Sequence, residues 1–102
     1  MLAVSLRSLA EEWFDGLVDL VKADLEGAEW ELLATARRWA PVVRWLLVEL
    51  HECGAPDPPP PPWPEGRDGP SALIATAIPL LEAAGYTAIP HVRHPHSVWA
   101  TR

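Results

Sequence analysis

Residues 17–33 read LVDLVKADLEGAEWELL, and this stretch decides the fold because three patterns follow one another in it. The first is a short apolar run, Leu17 to Ala23, which predicts a strand buried on both faces, as in a parallel sheet. An acidic turn comes next. An amphipathic segment then predicts a helix from about Ala28 to Ala40, which Pro41 ends. The stretch therefore predicts the first part of a β–α–β unit.

The flanking segments extend this unit in both directions. Residues 44–50, RWLLVEL, form a second short apolar run and predict a buried strand parallel to the first, with the helix as the crossover. Upstream, Leu6, Leu9 and Trp13 recur at helical spacing. They predict an amphipathic helix from Ser5 to Asp15.

The C-terminal half of the chain begins with a proline-rich segment. Residues 55–70 contain most of the prolines, and we expect them to form an extended loop outside the sheet. A helix should follow, kinked or split at Pro79 and ended by Gly85 in a left-handed conformation. Two short β-like pieces then predict a terminal antiparallel hairpin, Tyr86 to Ile89 and Ser97 to Thr101.

Length and charge limit the classes of function. The 102 residues predict a single α/β domain with parallel strands, crossover helices and a C-terminal antiparallel hairpin. Eight basic and fourteen acidic residues give a net charge of −6, which argues against nucleic acid or an anionic membrane surface as the main partner. A lone cysteine, no signal-peptide pattern and no long apolar segment favour the cytoplasm.

Polar side chains follow both predicted strands at the point where each ends. Asp24 comes directly after the first strand, and Glu26 and Glu29 follow it, while Glu49 and His51 close the second strand. The carboxyl ends of parallel strands meet at one edge of a sheet, and ligands of α/β proteins bind there. Alternatives stay open, because Asp24 can cap the helix, the two glutamates can favour its positive N-terminus, and His51 can be an ordinary loop residue.

Several motifs, in the same order along the chain, resemble FkbM-type methyltransferases that use S-adenosylmethionine. The segment KADLEGAEW, residues 22–30, closely resembles the K-x-D-x-E-G-x-E segment of that family. Four further segments are similar to family motifs: Val4-Ser5-Leu6, Leu47-Val48-Glu49-Leu50-His51, Leu80 to Tyr86 with its L-L-x-x-x-G-Y pattern, and Ser97-Val98-Trp99-Ala100. The resemblance covers nearly the whole chain.

The resemblance implies both a fold and a reaction. It identifies residues 1–102 as a partial Rossmann-like methyltransferase domain, the C-terminal half of the class I fold. The implied reaction is transfer of a methyl group from S-adenosylmethionine to an oxygen of a small molecule or sugar. It also implies roles for the residues at the strand ends: catalytic for Asp24 and His51, and substrate-binding for Glu26, Glu29 and Glu49.

The cofactor half of such a site has no counterpart in the sequence. No G-x-G occurs, so neither a Gly-rich turn after a first strand nor a ribose-binding acid after a second can be assigned, and the cofactor-binding residues stay unknown. We expect the chain alone to be inactive and to need a missing N-terminal half or a second copy. The alternative is a non-catalytic α/β module that pairs with itself or with another protein.

Two further expectations concern surfaces and metals. If no strand precedes Leu17, the first strand is an unpaired apolar edge, and the nearby tryptophans 13, 30 and 39 would form an exposed apolar patch.

His91, His94 and His96 have the spacing H-x-x-H-x-H, which lacks the fixed geometry and fourth ligand of a zinc site. We therefore predict exposed histidines in a hairpin turn and no metal site.

Overall fold

The computed structural model describes residues 12, 16–57, 65–66, 69–70, 72–91, 93–94 and 96–102. A 3-10 turn, Ala40–Val42, precedes the second strand. In chain order the elements are β1 (Val18–Ala23), α1 (Glu29–Ala34), α2 (Ala36–Trp39), β2 (Val43–Glu49), β3 (Glu65–Gly66), β4 (Gly69–Pro70), α3 (Ala72–Ala83), β5 (Thr87–Pro90) and β6 (Ser97–Thr101).

The described residues form an α/β domain around a four-stranded mixed sheet with the order β1-β2-β6-β5. β1 and β2 run parallel, with Leu20 beside Trp45, and α1 and α2 form the crossover between them. β5 and β6 form the antiparallel hairpin, and β6 inserts between β5 and β2, antiparallel to both. The predicted parallel pair and the predicted hairpin are both confirmed.

The helices cover one face of this sheet, and the core lies between the two layers. Leu46 and Val48 of β2 and Val98 of β6 are wholly buried there, as alternation along a strand requires. The helical layer supplies large buried side chains to the same cluster: Trp30, Leu33, Trp39, Ile74 and Leu81.

The prediction that β1 is buried on both faces is wrong. Leu20 is 54% exposed, and Asp19 and Lys22 are exposed as well. In the described sheet β1 is an edge strand, and the helices α1 to α3 pack on the opposite face, so one side of the strand meets solvent. The strand itself was predicted correctly.

The predicted tryptophan patch is also wrong in its residues. Trp30 and Trp39 are both buried, and their indole N–H groups donate to the carbonyl oxygens of His51 and Leu32, at 2.7 and 2.9 Å. Trp13 lies outside the described residues, and of the helix predicted for Ser5 to Asp15 only residue 12 is described, in a helical conformation.

The crossover helix is interrupted instead of running from Ala28 to Ala40. The break falls at Thr35, whose hydroxyl donates to the carbonyl oxygens of Glu31 and Leu32, at 3.0 and 3.2 Å. A threonine side chain that bonds to the preceding turn competes with the helical hydrogen-bond pattern. The last part of the crossover tightens into the 3-10 turn that contains Pro41.

The helix predicted after the proline-rich segment is continuous, so a split at Pro79 is wrong: α3 runs through this residue to Ala83. Gly85 ends the segment with φ +95°, as predicted. Its N–H donates to Glu82 O at 3.0 Å, and the N–H of Tyr86 donates to Leu81 O at 3.1 Å, which together make a Schellman C-cap.

Tyr86 then connects the exit of α3 to the sheet. Its hydroxyl donates to the carbonyl oxygen of Val43 at 2.7 Å, and burial raises the pKa of Tyr86 to about 12.

The proline-rich segment is described only in part, and there β3 and β4 pair in a two-stranded ladder outside the main sheet. No helix among the described residues is long and apolar enough to cross a membrane.

Candidate functional site at the carboxyl ends of β1 and β2

Glu29 is the centre of the loops that follow β1 and β2. Its side chain is 0% exposed, although it lies in the first turn of α1. One carboxylate oxygen, Oε2, accepts the N–H of Gly27 at 2.8 Å. The other, Oε1, lies 2.7 Å from the backbone N of His51 and 2.9 Å from its Nδ1. A single carboxylate therefore holds together the two strand ends.

These hydrogen bonds decide the charge of Glu29. Burial raises its pKa and is the largest single influence, but hydrogen bonds from its own backbone N–H, from Gly27 and from the side chain and backbone of His51 act in the opposite direction. Together they lower the pKa of Glu29 below its ordinary value. The structure thus contains an ionised carboxylate beneath the surface of the site.

His51 lies between Glu29 and the surface of the site, and its pKa responds to the neighbouring carboxylates. Its hydrogen bond to Glu29 is the main cause that raises its pKa, partial burial opposes this, and the charges of Glu29, Asp24 and Glu49 reinforce the increase. With Nδ1 turned towards Glu29, Nε2 lies 3.5 Å from Oδ1 of Asp24. His51 is thereby fixed between a buried and an exposed carboxylate.

The loops that follow β1 and β2 pack closely through their backbones. Gly27 has φ +114°, and a Cβ atom at this position would lie 2.8 Å from the carbonyl oxygen of Cys53. Gly54, with φ +78°, faces the carbonyl oxygen of Gly27 from the other loop. The indole N–H of Trp30 donates to the carbonyl oxygen of His51. The backbone N–H of His51 is bonded to Glu29, so both backbone polar groups of His51 have partners on α1.

The structure brings together three of the five residues singled out in the sequence. One oxygen each of Asp24 and Glu49 and one ring nitrogen of His51 lie within 4.8 Å of one another. Glu26 is exposed in the turn at φ +50° and lies outside this group. Glu29 lies beneath it, where its oxygens bond to the chain itself, and the prediction that it contacts substrate stays a prediction.

Among the residues that the structure describes, these three are the group that could hold a divalent cation. Two carboxylates and one imidazole are suitable ligands, and the hydrogen bond from Nδ1 of His51 to Glu29 is the kind of support that metal-binding histidines have. The histidines of the hairpin are arranged differently: the ring of His91 lies 4.7 Å from that of His94 and stacks on Trp99.

Sequence reasoning missed that Glu29 is a buried tether. The available signal was its position two residues after Gly27. A glycine in a left-handed turn lets the chain reverse sharply, so its N–H can point back at a carboxylate two residues later. Nothing local in the sequence connects Glu29 with His51, because that contact depends on the parallel pairing of β1 with β2.

Fold and site together define an α/β domain with a histidine–carboxylate cluster at the carboxyl edge of a parallel strand pair. No protein-family model matches this chain, and neither the curated proteins nor the solved structures contain a match to it.

The opposite pKa changes of Glu29 and His51 predict a stability maximum in mildly acidic solution. The raised pKa of His51 stabilises the fold fully below its ordinary value of 6.5, and this contribution is lost as pH rises through the folded-state pKa. The lowered pKa of Glu29 stabilises the fold above its ordinary 4.5, and this is lost as pH falls through the folded-state pKa. The free energy of unfolding should therefore be highest between pH 4.5 and 6.5.

Urea unfolding at a series of pH values measures this profile. The His51→Gln variant should lose the decline on the alkaline side, whereas His94→Gln, an exposed histidine of the hairpin, should keep it. A decline that persists in His51→Gln would contradict the assignment to His51.

Proposed function

We propose that this chain is the acceptor-side half of an FkbM-type methyltransferase, which transfers a methyl group from S-adenosylmethionine to an oxygen of a small molecule or sugar. One observation carries the proposal: Asp24 and His51, both at the carboxyl edge of the sheet, lie 3.5 Å apart and are held from below by Glu29. These are the residues to which the resemblance assigns catalysis.

The sheet supports the proposal as well. The resemblance implies parallel strands followed by a C-terminal antiparallel hairpin, and here β1 and β2 are parallel while β5 and β6 pair antiparallel. The parallel pair, its helical crossover and the closing hairpin are the parts that a C-terminal half would contribute.

The proposed chemistry of this half is removal of a proton. A hydroxyl group of the acceptor binds at the edge, with its oxygen within hydrogen-bond reach of Nε2 of His51. Neutral His51 accepts the hydroxyl proton at Nε2 as the oxygen becomes a nucleophile, and the charges of Asp24 and Glu29 stabilise the imidazolium that forms. Glu49 and Glu26 contact the other hydroxyl groups of the acceptor.

The described residues do not fit the cofactor by themselves. Gly27 and Gly54 lie in opposite loops, where Gly27 packs against Cys53 and Gly54 against Gly27, and they do not form the Gly-rich turn that the cofactor requires. The methyl donor therefore binds to a Gly-rich segment that the given sequence does not contain.

Calorimetric titration with S-adenosylmethionine tests this division. The full chain alone should show no saturable binding. A mixture with the separately expressed Gly-rich half of an FkbM-type methyltransferase should bind one equivalent per complex. Binding by the Gly-rich half that is unchanged by this chain would contradict the proposal.

The acceptor side is tested by methyl transfer in that mixture, with a panel of sugars and small alcohols and a labelled methyl donor. Replacing the base, in His51→Gln, should lower the rate about 100-fold or more, whereas the exposed Glu82→Gln variant should leave it unchanged. The rate should rise with pH above 6.5, because the pKa of His51 is raised and the base must be neutral. A rate that His51→Gln leaves intact would exclude His51 as the base.

A further inference from the structure

Among the described residues, the helices cover one face of the main sheet and leave the second face uncovered. We define the open face as Leu20 of β1, Trp45 of β2, Trp99 of β6 and Ile89 of β5, one residue from each strand of the main sheet. Leu20 lies beside Trp45 in the parallel register, and Ile89 lies beside Trp99 in the hairpin. The four side chains thus form a continuous apolar band across the sheet.

The open face is exposed to an extent that is unusual for residues of this kind. Leu20, Trp45 and Ile89 are 54%, 41% and 57% exposed, respectively. The rings of Trp45 and Trp99 meet edge to face at 6.3 Å and line a shallow hollow of about 460 Å³. Asp19 is the one charged residue among those that line the hollow.

Two physical arguments say that this face is covered in solution. β1 and β2 are a parallel pair, and parallel strands normally lie between two layers that bury both of their faces. A water-soluble monomer also seldom exposes a contiguous aromatic and aliphatic band. The band here includes two tryptophans, which are among the residues most enriched in the centres of protein interfaces.

We propose that a second copy of this chain covers the open face, so that two sheets pack face to face between outer layers of helices. A two-fold axis brings the same patch of each copy into contact, which an apolar band with almost no charge permits without any unpaired charge at its centre. The sheets then lie about 10 Å apart, the usual separation of packed sheets.

The available area is sufficient for such a pair. The exposed parts of the four side chains and the polar residues around them amount to on the order of 500 Å² per copy, or about 1,000 Å² in total, at the lower limit for a specific interface. This predicts a dimer that dissociates reversibly on dilution. The inference does not rest on methyl transfer, since it uses no residue of the carboxyl edge.

Light scattering coupled to size-exclusion chromatography, over a range of protein concentrations, tests the proposal on the full chain. We expect the unmodified chain to elute with the mass of a dimer at high concentration. Trp45→Glu should raise the dissociation constant at least about 100-fold, because it places a charge at the centre of the interface. Ile89→Lys is a second disruption, independent of whether the tryptophan variant folds.

A matched control comes from the acidic turn after β1. Leu25 is 47% exposed, comparable to the residues of the open face, but lies outside that face, so Leu25→Glu should leave the dimer intact. Three results would overturn the proposal: an unmodified chain that stays monomeric at high concentration, a dimer that survives both Trp45→Glu and Ile89→Lys, or a dimer equally sensitive to Leu25→Glu.

Discussion

Replacing Glu29 with glutamine is expected to lower the free energy of unfolding by about 3 kcal/mol. Its carboxylate accepts hydrogen bonds from the backbone N–H groups of Gly27 and His51 and contacts Nδ1 of His51, all beneath the surface. The glutamine amide has one oxygen, so its NH₂ group must face an N–H donor. A buried donor without a partner costs about 1–3 kcal/mol, and the charge-assisted bond to His51 is lost as well.

Urea unfolding at pH 6 measures this loss, and Glu31→Gln is the matched control. Glu31 lies two residues later on the same helix and is exposed, so its replacement should change the free energy by less than about 0.5 kcal/mol. In Glu29→Gln the pKa of His51, followed by NMR, should also move down, because its main cause of elevation is gone. Equal effects of the two substitutions would show that Glu29 does not act as a tether.

Replacing Gly27 with alanine is expected to cost about 3 kcal/mol, and two effects contribute. At φ +114° a side chain strains the backbone by roughly 1–2 kcal/mol. The new Cβ atom would also lie 2.8 Å from the carbonyl oxygen of Cys53, which is backbone and cannot simply rotate away. The loops after β1 and β2 must therefore separate, and the contact of Glu29 with His51 weakens with them.

Gly16→Ala separates the two effects. Gly16 also has a positive φ, +85°, but nothing lies within 4 Å of its Cβ position, so its replacement carries the backbone strain alone. Chemical denaturation should give a loss of about 1 kcal/mol for Gly16→Ala. If both variants lose the same stability, close packing of the two loops contributes nothing measurable.

The sequence was sufficient for the order of elements and for the edge at which the site lies. Apolar runs of the right length predicted β1 and β2, and the glycine after Ala84 predicted the end of α3, because these signals are local. The placement of Asp24, Glu49 and His51 at one edge followed from parallel pairing, which the length of the crossover indicates. These parts depend on short-range chemistry and on one topological rule.

The failures have a common cause, which is that burial depends on neighbours distant in sequence. Trp30 and Trp39 were expected on the surface, but their positions face the sheet, and each indole N–H finds a carbonyl partner. β1 was expected to be covered on both sides, whereas the described helices cover one face of the sheet and Leu20 lies exposed on the other. An apolar run in the sequence does not show whether a layer of helices covers one face of the strand or both.

The position of β6 has a consequence for folding during synthesis. β6 lies between β2 and β5, although it is the last of the four strands to be translated. Until residues 97–101 leave the ribosome, the position between β2 and β5 is unoccupied. β2 can then pair only with β1, and β5 has no neighbour in the main sheet. The nascent chain therefore exposes unpaired strand edges on both sides of that gap, and its main sheet closes only after residues 97–101 have emerged.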